Sequence, residues 1–336
     1  MEIADIPRRA GSYWRPGGKI TKGVPAVGAP GFGKIGEKWF SMLSGRDTHM
    51  RSITAFRWSV LAFLAIPLLA PAAPASEGAR LHEDMAAHVL PVSGYQSRVV
   101  LGDSIVKLAQ EGVIDRKKIE ALYAEGGEAP QELRDILDKP SRQPILLTAK
   151  NARLYVNLLW ALGLANRMAT NSASPLNGTS RFRYASTGGW TLGREKNGGE
   201  YFNRFPIVQL STQQEALMTR VAQHSFRPCC DNSTFFQDCN HGSALLGLLA
   251  LGASQGLNEE ELLREALAFN SFWFPHQYVH TALYFKAVRG VEWRDIDPRV
   301  VMSAEFSSGT GWQKNVAQAL QARGLLPQQG GSNCSA

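Results

Sequence analysis

The sequence predicts a mainly α fold: a single multi-helix, orthogonal or bundle-like domain with a long irregular loop segment, preceded by a signal peptide. Three observations carry this reading. Apolar residues recur at i, i+3 and i+4 through most of 103–167 and 211–322, the period of helices with one buried face. Residues 168–210 show no helical period and are rich in glycine and asparagine. An apolar run at 59–70 follows Arg51 and Arg57 and precedes Ala73-Pro-Ala75. A positive flank, a short apolar core and a small-x-small site are the layout of a secretory signal. The run falls below the roughly 18–20 residues a membrane-spanning helix needs.

The chain has 336 residues and four divisions are expected. Residues 1–49 read as a disordered extension ahead of a true translation start at Met50, and 50–75 as the signal peptide. Residues 76–326 form the exported helical domain, and 327–336 are a flexible Gly/Ser tail. Cleavage near Ala75 makes the protein periplasmic or extracellular, with membrane contact only during export. Gly31-Phe-Gly33-Lys-Ile-Gly36 matches a dinucleotide fingerprint, but no strand precedes it and it carries no cofactor reading. Of the formal charge of +7, four belong to 1–49 and two to 50–75, which leaves +1 for the exported part. No basic stripe remains to bind nucleic acid.

Residues 76–98 give weak signals and read as a polar lead-in. Asp103 is expected to cap a helix ending at Gly112, and Asp115 to start a second. Pro130 suits the first turn of a third, stopped by Pro140. Thr148 is expected to cap a central helix over about 149–167, apolar round most of its circumference. Within 168–210, Ile207-Val-Gln-Leu210 could form a short strand. Gly188, Gly189 and Trp190 are expected to form a lid or ligand loop over the functional site. Ser211 with Gln214 forms a capping box for a helix ending near His224, and Asn258 with Glu261 forms another. Helices are expected at 243–255, 258–274 and 275–288, then from Asp297-Pro298 and over 313–322. The run 243–253 is apolar all round and should pack against 149–167.

The chemistry is concentrated between Phe226 and Gly242. Cys229, Cys230, Cys239 and His241 lie there, three of the chain's four cysteines among them. Three thiolates and an imidazole make a tetrahedral set of three sulfurs and one nitrogen for zinc, or a soft site for copper or iron. Cys239 lies close to a helix N-terminus, which favours its thiolate. His224 and the i, i+4 pair His276 and His280 are weaker candidate ligands. Two other readings stay open for the same cysteines. One is thiol redox exchange or nucleophilic catalysis with His241 or His224 as base. The other is a non-catalytic helical binding or structural module whose loop is stapled by a disulfide, with connectivity undetermined among four cysteines. Cys334, in the tail, could relay metal or electrons to the loop.

Val99-Val-Leu-Gly-Asp-Ser104 and Asp238-Cys-Asn-His241 resemble two blocks of SGNH-type esterases. That resemblance implies Ser104 as nucleophile, His241 as base and Asp238 as the orienting acid. It also implies regular β–α alternation, which the sequence lacks. The functional expectation is an exported protein with a Cys/His-rich site. Its partner is a metal ion, a small soft ligand or a redox protein.

Overall fold

The computed structural model describes residues 77–124 and 126–326. The expected leader, signal peptide and tail, with Cys334, lie outside the described residues. Within them the fold is mainly helical, as the periodicity predicted. Its centre is a pair of helices, α5 (Ala152–Ala165) and α7 (Asn240–Ser254), packed against each other. Both are buried on nearly every side. Two glycines set their separation. A Cβ on Gly163 would lie 1.8 Å from the carbonyl oxygen of Ser243, and one on Gly247 would lie 2.3 Å from that of Leu159. The backbones therefore touch where glycine alone permits it, and the Ser243 hydroxyl donates to the Trp160 carbonyl across the contact.

Around this pair lie α2 (Ser104–Gln110), α3 (Arg116–Tyr123), α4 (Gln131–Asp138), α6 (Thr212–His224) and α8 (Glu259–Trp273). Both expected capping boxes are present: Ser211 with Gln214 begins α6, and Asn258 with Glu261 begins α8. A second apolar core joins α1 (Glu77–Val89) and α9 (Pro275–Tyr284) to the C-terminal helices through Met85, Tyr278, Phe306 and Val316.

Several local expectations are corrected. Residues 77–89 form a helix, α1, not a polar lead-in. Two strands, β1 (Tyr95–Gly102) and β2 (Ser141–Leu147), pair antiparallel, with Tyr95 opposite Leu147 and Gly102 opposite Ser141. Ser97, Val99 and Leu101 alternate inward on β1, but the bulged register between Gln96 and Gly102 blurs that period. Buried Glu265 of α8 fixes the hairpin, accepting from the Tyr95 and Ser97 hydroxyls and the Arg98 amide. Asp103 does not cap α2; its carboxylate pairs with Lys107 instead. The central helix begins at Ala152, later than expected. The Asn151 side chain folds back to accept from the Thr148 amide and hydroxyl, so the chain turns before it winds.

Residues 168–210 are irregular, broken by short 3₁₀ turns at Ala169–Ala173, Thr179–Arg183 and Gly198–Tyr201. Ile207 to Leu210 forms no strand; a single bridge joins Asn166 to Phe205. Trp190 is a core residue. It is 1% exposed, its indole N–H donates to the Val113 carbonyl, and its ring meets Trp160 edge-on at 4.9 Å. Gly188 and Gly189 press against the Phe182 and Ala185 carbonyls. All three serve to fold the segment back on itself, so the expected lid role does not survive.

Candidate metal centre

The loop between α6 and α7 is held by five sets of contacts. Ser225 and Thr234 close its neck: the Thr234 amide donates to the Ser225 carbonyl at 2.8 Å, and the two hydroxyls pair at 3.0 Å. The Phe226 amide donates to the Met302 carbonyl, and Asn270 donates to the Phe226 carbonyl. The Gly309 amide donates to the Cys230 carbonyl at 3.0 Å, while the amide and hydroxyl of Thr310 both donate to the Asp231 carboxylate. Those two bonds hold Asp231 below its ordinary carboxylate pKa. The Ser186 amide and the Tyr184 ring, from the irregular segment, touch Asp238 and Phe236.

The fifth comes from inside. Arg227 has no exposed side-chain surface. Its guanidinium donates to the Asn232 carbonyl at 2.8 Å, the Phe236 carbonyl at 3.3 Å, the Asp238 carboxylate at 2.7 Å and the Cys239 sulfur at 3.3 Å. A planar fork of donors satisfies the inward-facing carbonyls of a tight loop in a way no other side chain can. Gly242 makes room for it: a Cβ there would stand 2.6 Å from the guanidinium. Asn232 holds the other carboxylate oxygen of Asp238 at 2.7 Å.

This frame brings three sulfurs together. Cys229 and Cys230 are 3.6 Å apart, Cys229 and Cys239 3.6 Å, and Cys230 and Cys239 3.5 Å. Among the described residues this is the group of three or more ligand-type side chains whose donor atoms all lie within 4.8 Å of one another. Adjacent side chains usually diverge, but here Cys229 and Cys230 both turn toward Cys239. Cys239 occupies the N-cap position of α7, and its sulfur accepts from the Gly242 amide at 3.4 Å.

The electrostatics are unequal. Hydrogen bonds from the Cys229 and Cys230 thiols, then the Arg227 guanidinium, hold Cys239 below the ordinary thiol pKa and favour its thiolate. The Cys229 thiol is pushed up by its hydrogen bonds to Cys230 and Cys239. At Cys230 the bond with Cys229 acts downward, but the bond to Cys239 and burial outweigh it and push the thiol up to about 12. The shifts thus run in opposite directions, favouring a thiolate at Cys239 beside the buried cation of Arg227 and thiols at Cys229 and Cys230.

The remaining expected ligands fall elsewhere. The His241 imidazole is not in the three-sulfur group. It packs on Phe274 at 4.5 Å between ring centres and on Trp273 at 6.0 Å, and burial pushes its pKa down. His224 is exposed at the end of α6, its ring bonded to the Arg220 carbonyl. His276 and His280 lie on α9, where His280 meets His82 of α1. The stapling disulfide is corrected as well: Cys229, Cys230 and Cys239 are free, with no pair at bonding distance.

The esterase reading fails on geometry. The Ser104 hydroxyl donates to the Leu101 carbonyl within its own turn. Asp238 is engaged by Arg227 and Asn232 rather than by His241. The sheet among the described residues has two antiparallel strands, not a β–α alternation. The chain matches no family model, no curated protein and no solved structure. Function therefore has to be read from the three-sulfur cluster itself.

Burial, then the nearby His82 and His276, push His280 down to about 4. A histidine whose folded pKa is depressed contributes stability that is present above its unfolded pKa of about 6.5 and lost as pH falls toward the folded value. Unfolding free energy should therefore drop between about pH 6.5 and 4. His280→Gln should flatten that slope in urea titrations at a series of pH values. An unchanged slope would remove His280 from the acid sensitivity.

Proposed function

We propose that this is an exported metal-handling protein that holds one soft transition-metal ion between Cys229, Cys230 and Cys239. The observation that carries the reading is the mutual contact of the three sulfurs, each pair at 3.5 or 3.6 Å. Two thiolates bound to one zinc ion at about 2.3 Å in tetrahedral geometry stand about 3.8 Å apart. A shift of a few tenths of an ångström accommodates the ion. The spacing is close to that of thiolates sharing one metal ion. Zinc and monovalent copper both accept such a donor set.

Three protein ligands leave a coordination position open, as in zinc sites that exchange ligands rather than purely structural ones. Cys229 is the exposed member of the trio and gives the ion its route in and out. Arg227 and Asp238 orient Cys239 and Cys230 from behind, the role outer-sphere groups play in metal sites. The signal-like segment at 50–75 supports an extracytoplasmic location.

Metal-free protein, kept reduced, should bind one equivalent of Zn(II) or Cu(I). Because Cys229 and Cys230 are protonated without metal, binding should release protons, and affinity should rise with pH by up to about tenfold per unit for each proton lost. Calorimetry in buffers of different ionisation enthalpy reads that release. Each of Cys229→Ser, Cys230→Ser and Cys239→Ser should weaken binding by well over tenfold. Retention of wild-type affinity by any two of them would refute the site.

Thiol exchange is the second reading, favoured by the thiolate of Cys239 lying 3.6 Å from the exposed sulfur of Cys229. It gains ground if no metal binds and mild oxidation removes two titratable thiols.

A further inference from the structure

We infer that His82, His276 and His280 form a second metal site, a nitrogen-donor site for a borderline divalent ion such as nickel or zinc. It lies on the second apolar core, where α1 meets α9, and draws on none of the cysteines. The His82 and His280 rings meet at 5.5 Å between centres with an interplanar angle of 62°. Two imidazoles bound to one ion at about 2.0–2.1 Å have ring centres about 5 Å apart, so this pair is close to ligating distance. His276 stands four residues before His280 on α9, the spacing that puts two imidazoles on one helical face.

Two further observations point to a ligand there. The Nδ1 atom of His280 is buried and has no hydrogen-bond partner. A buried ring nitrogen without a partner is costly and is rare unless something else occupies its lone pair. Trp312 lies parallel to His280 at 6.2 Å, and its indole N–H donates to the Gln277 carbonyl, so one side of the ring is walled. Burial and the neighbouring imidazoles keep His280 neutral at neutral pH, the state that ligates. As they stand, the three rings do not bring their nitrogens within 4.8 Å of one another as a set. His276 is exposed, and its ring would have to rotate toward the other two to complete the site.

The test is calorimetric titration of the untagged full chain with Ni(II) after its thiols are blocked with iodoacetamide, which separates this site from the cysteine cluster. One equivalent should bind without sulfur-to-nickel charge-transfer bands. His82→Ala and His280→Ala should each weaken binding at least tenfold, and His276→Ala should weaken it less. His224→Ala, at the exposed end of α6, should leave it unchanged. Circular dichroism melting checks that each variant is folded. Absence of stoichiometric binding by the blocked chain, or full affinity in a folded His82→Ala protein, would overturn the inference.

Discussion

Arg227→Ala should cost about 3–5 kcal/mol of unfolding free energy, the range seen when one partner of a buried ion pair is removed. The magnitude follows from what the guanidinium leaves behind. The carbonyls of Asn232 and Phe236 lose their donor, and Asp238 and the Cys239 thiolate lose their neighbouring cation. Each abandoned group carries its own desolvation penalty. Arg227→Lys should recover part of the loss, since an ammonium keeps the charge but cannot fork to four acceptors at once. Urea unfolding followed by tryptophan fluorescence measures both variants. Metal affinity, scored on the folded fraction, should fall in parallel, because this side chain ties the loop from inside and touches Cys239 directly. A cost below about 1 kcal/mol for Arg227→Ala would mean that the bonds at the loop neck and at Gly309 suffice without it.

The second large effect is expected far from any sulfur. Gly163→Ala places a methyl group where the Ser243 carbonyl oxygen already stands, 1.8 Å away. Neither helix backbone can yield locally, so α5 and α7 must separate along their length. Overpacking of this kind typically costs about 1–3 kcal/mol and occasionally more; contact with backbone rather than a side chain puts this case at the upper end. Gly178→Ala, with nothing within 4 Å of the added carbon, is the control and should be nearly silent. Since Ser243 lies four residues beyond Cys239 at the start of α7, the displacement should also reduce metal affinity. Equal melting temperatures for the two alanine variants would contradict the close-contact account.

The two variants also show what was legible in the sequence. The apolar runs at 149–167 and 243–253 announced a central pair, because a helix with no polar face has to be covered all round. Their glycines were visible, but which of them met across the interface depends on the crossing of the helices. The capping boxes at Ser211 and Asn258 were readable because their chemistry is local. The hairpin was not: its bulged register spoils the alternation, and what fixes it, Glu265, lies more than 160 residues away.

At the site, clustering of Cys229, Cys230 and Cys239 could be proposed from their spacing. Arg227 could not, because a lone arginine in a polar loop usually faces water. The one available hint was Gly242, a residue without a side chain placed just past Cys239. His241 and Trp190 misled for different reasons. His241 lies close to Cys239 in sequence, and Trp190 follows two glycines in an irregular segment, but neither signal gives the direction of a ring that has an apolar pocket to fill.

The ties from Gly309 and Thr310 to Cys230 and Asp231 have a consequence for biosynthesis. A chain made from its N-terminus completes all three cysteines about seventy residues before the segment that clamps them has been synthesised. During that interval the sulfurs lack one of their restraints and are open to oxidation and to stray metals. The cluster is thus a late-maturing element, and any factor that guards or loads it would act on a nascent chain whose last helices are still missing.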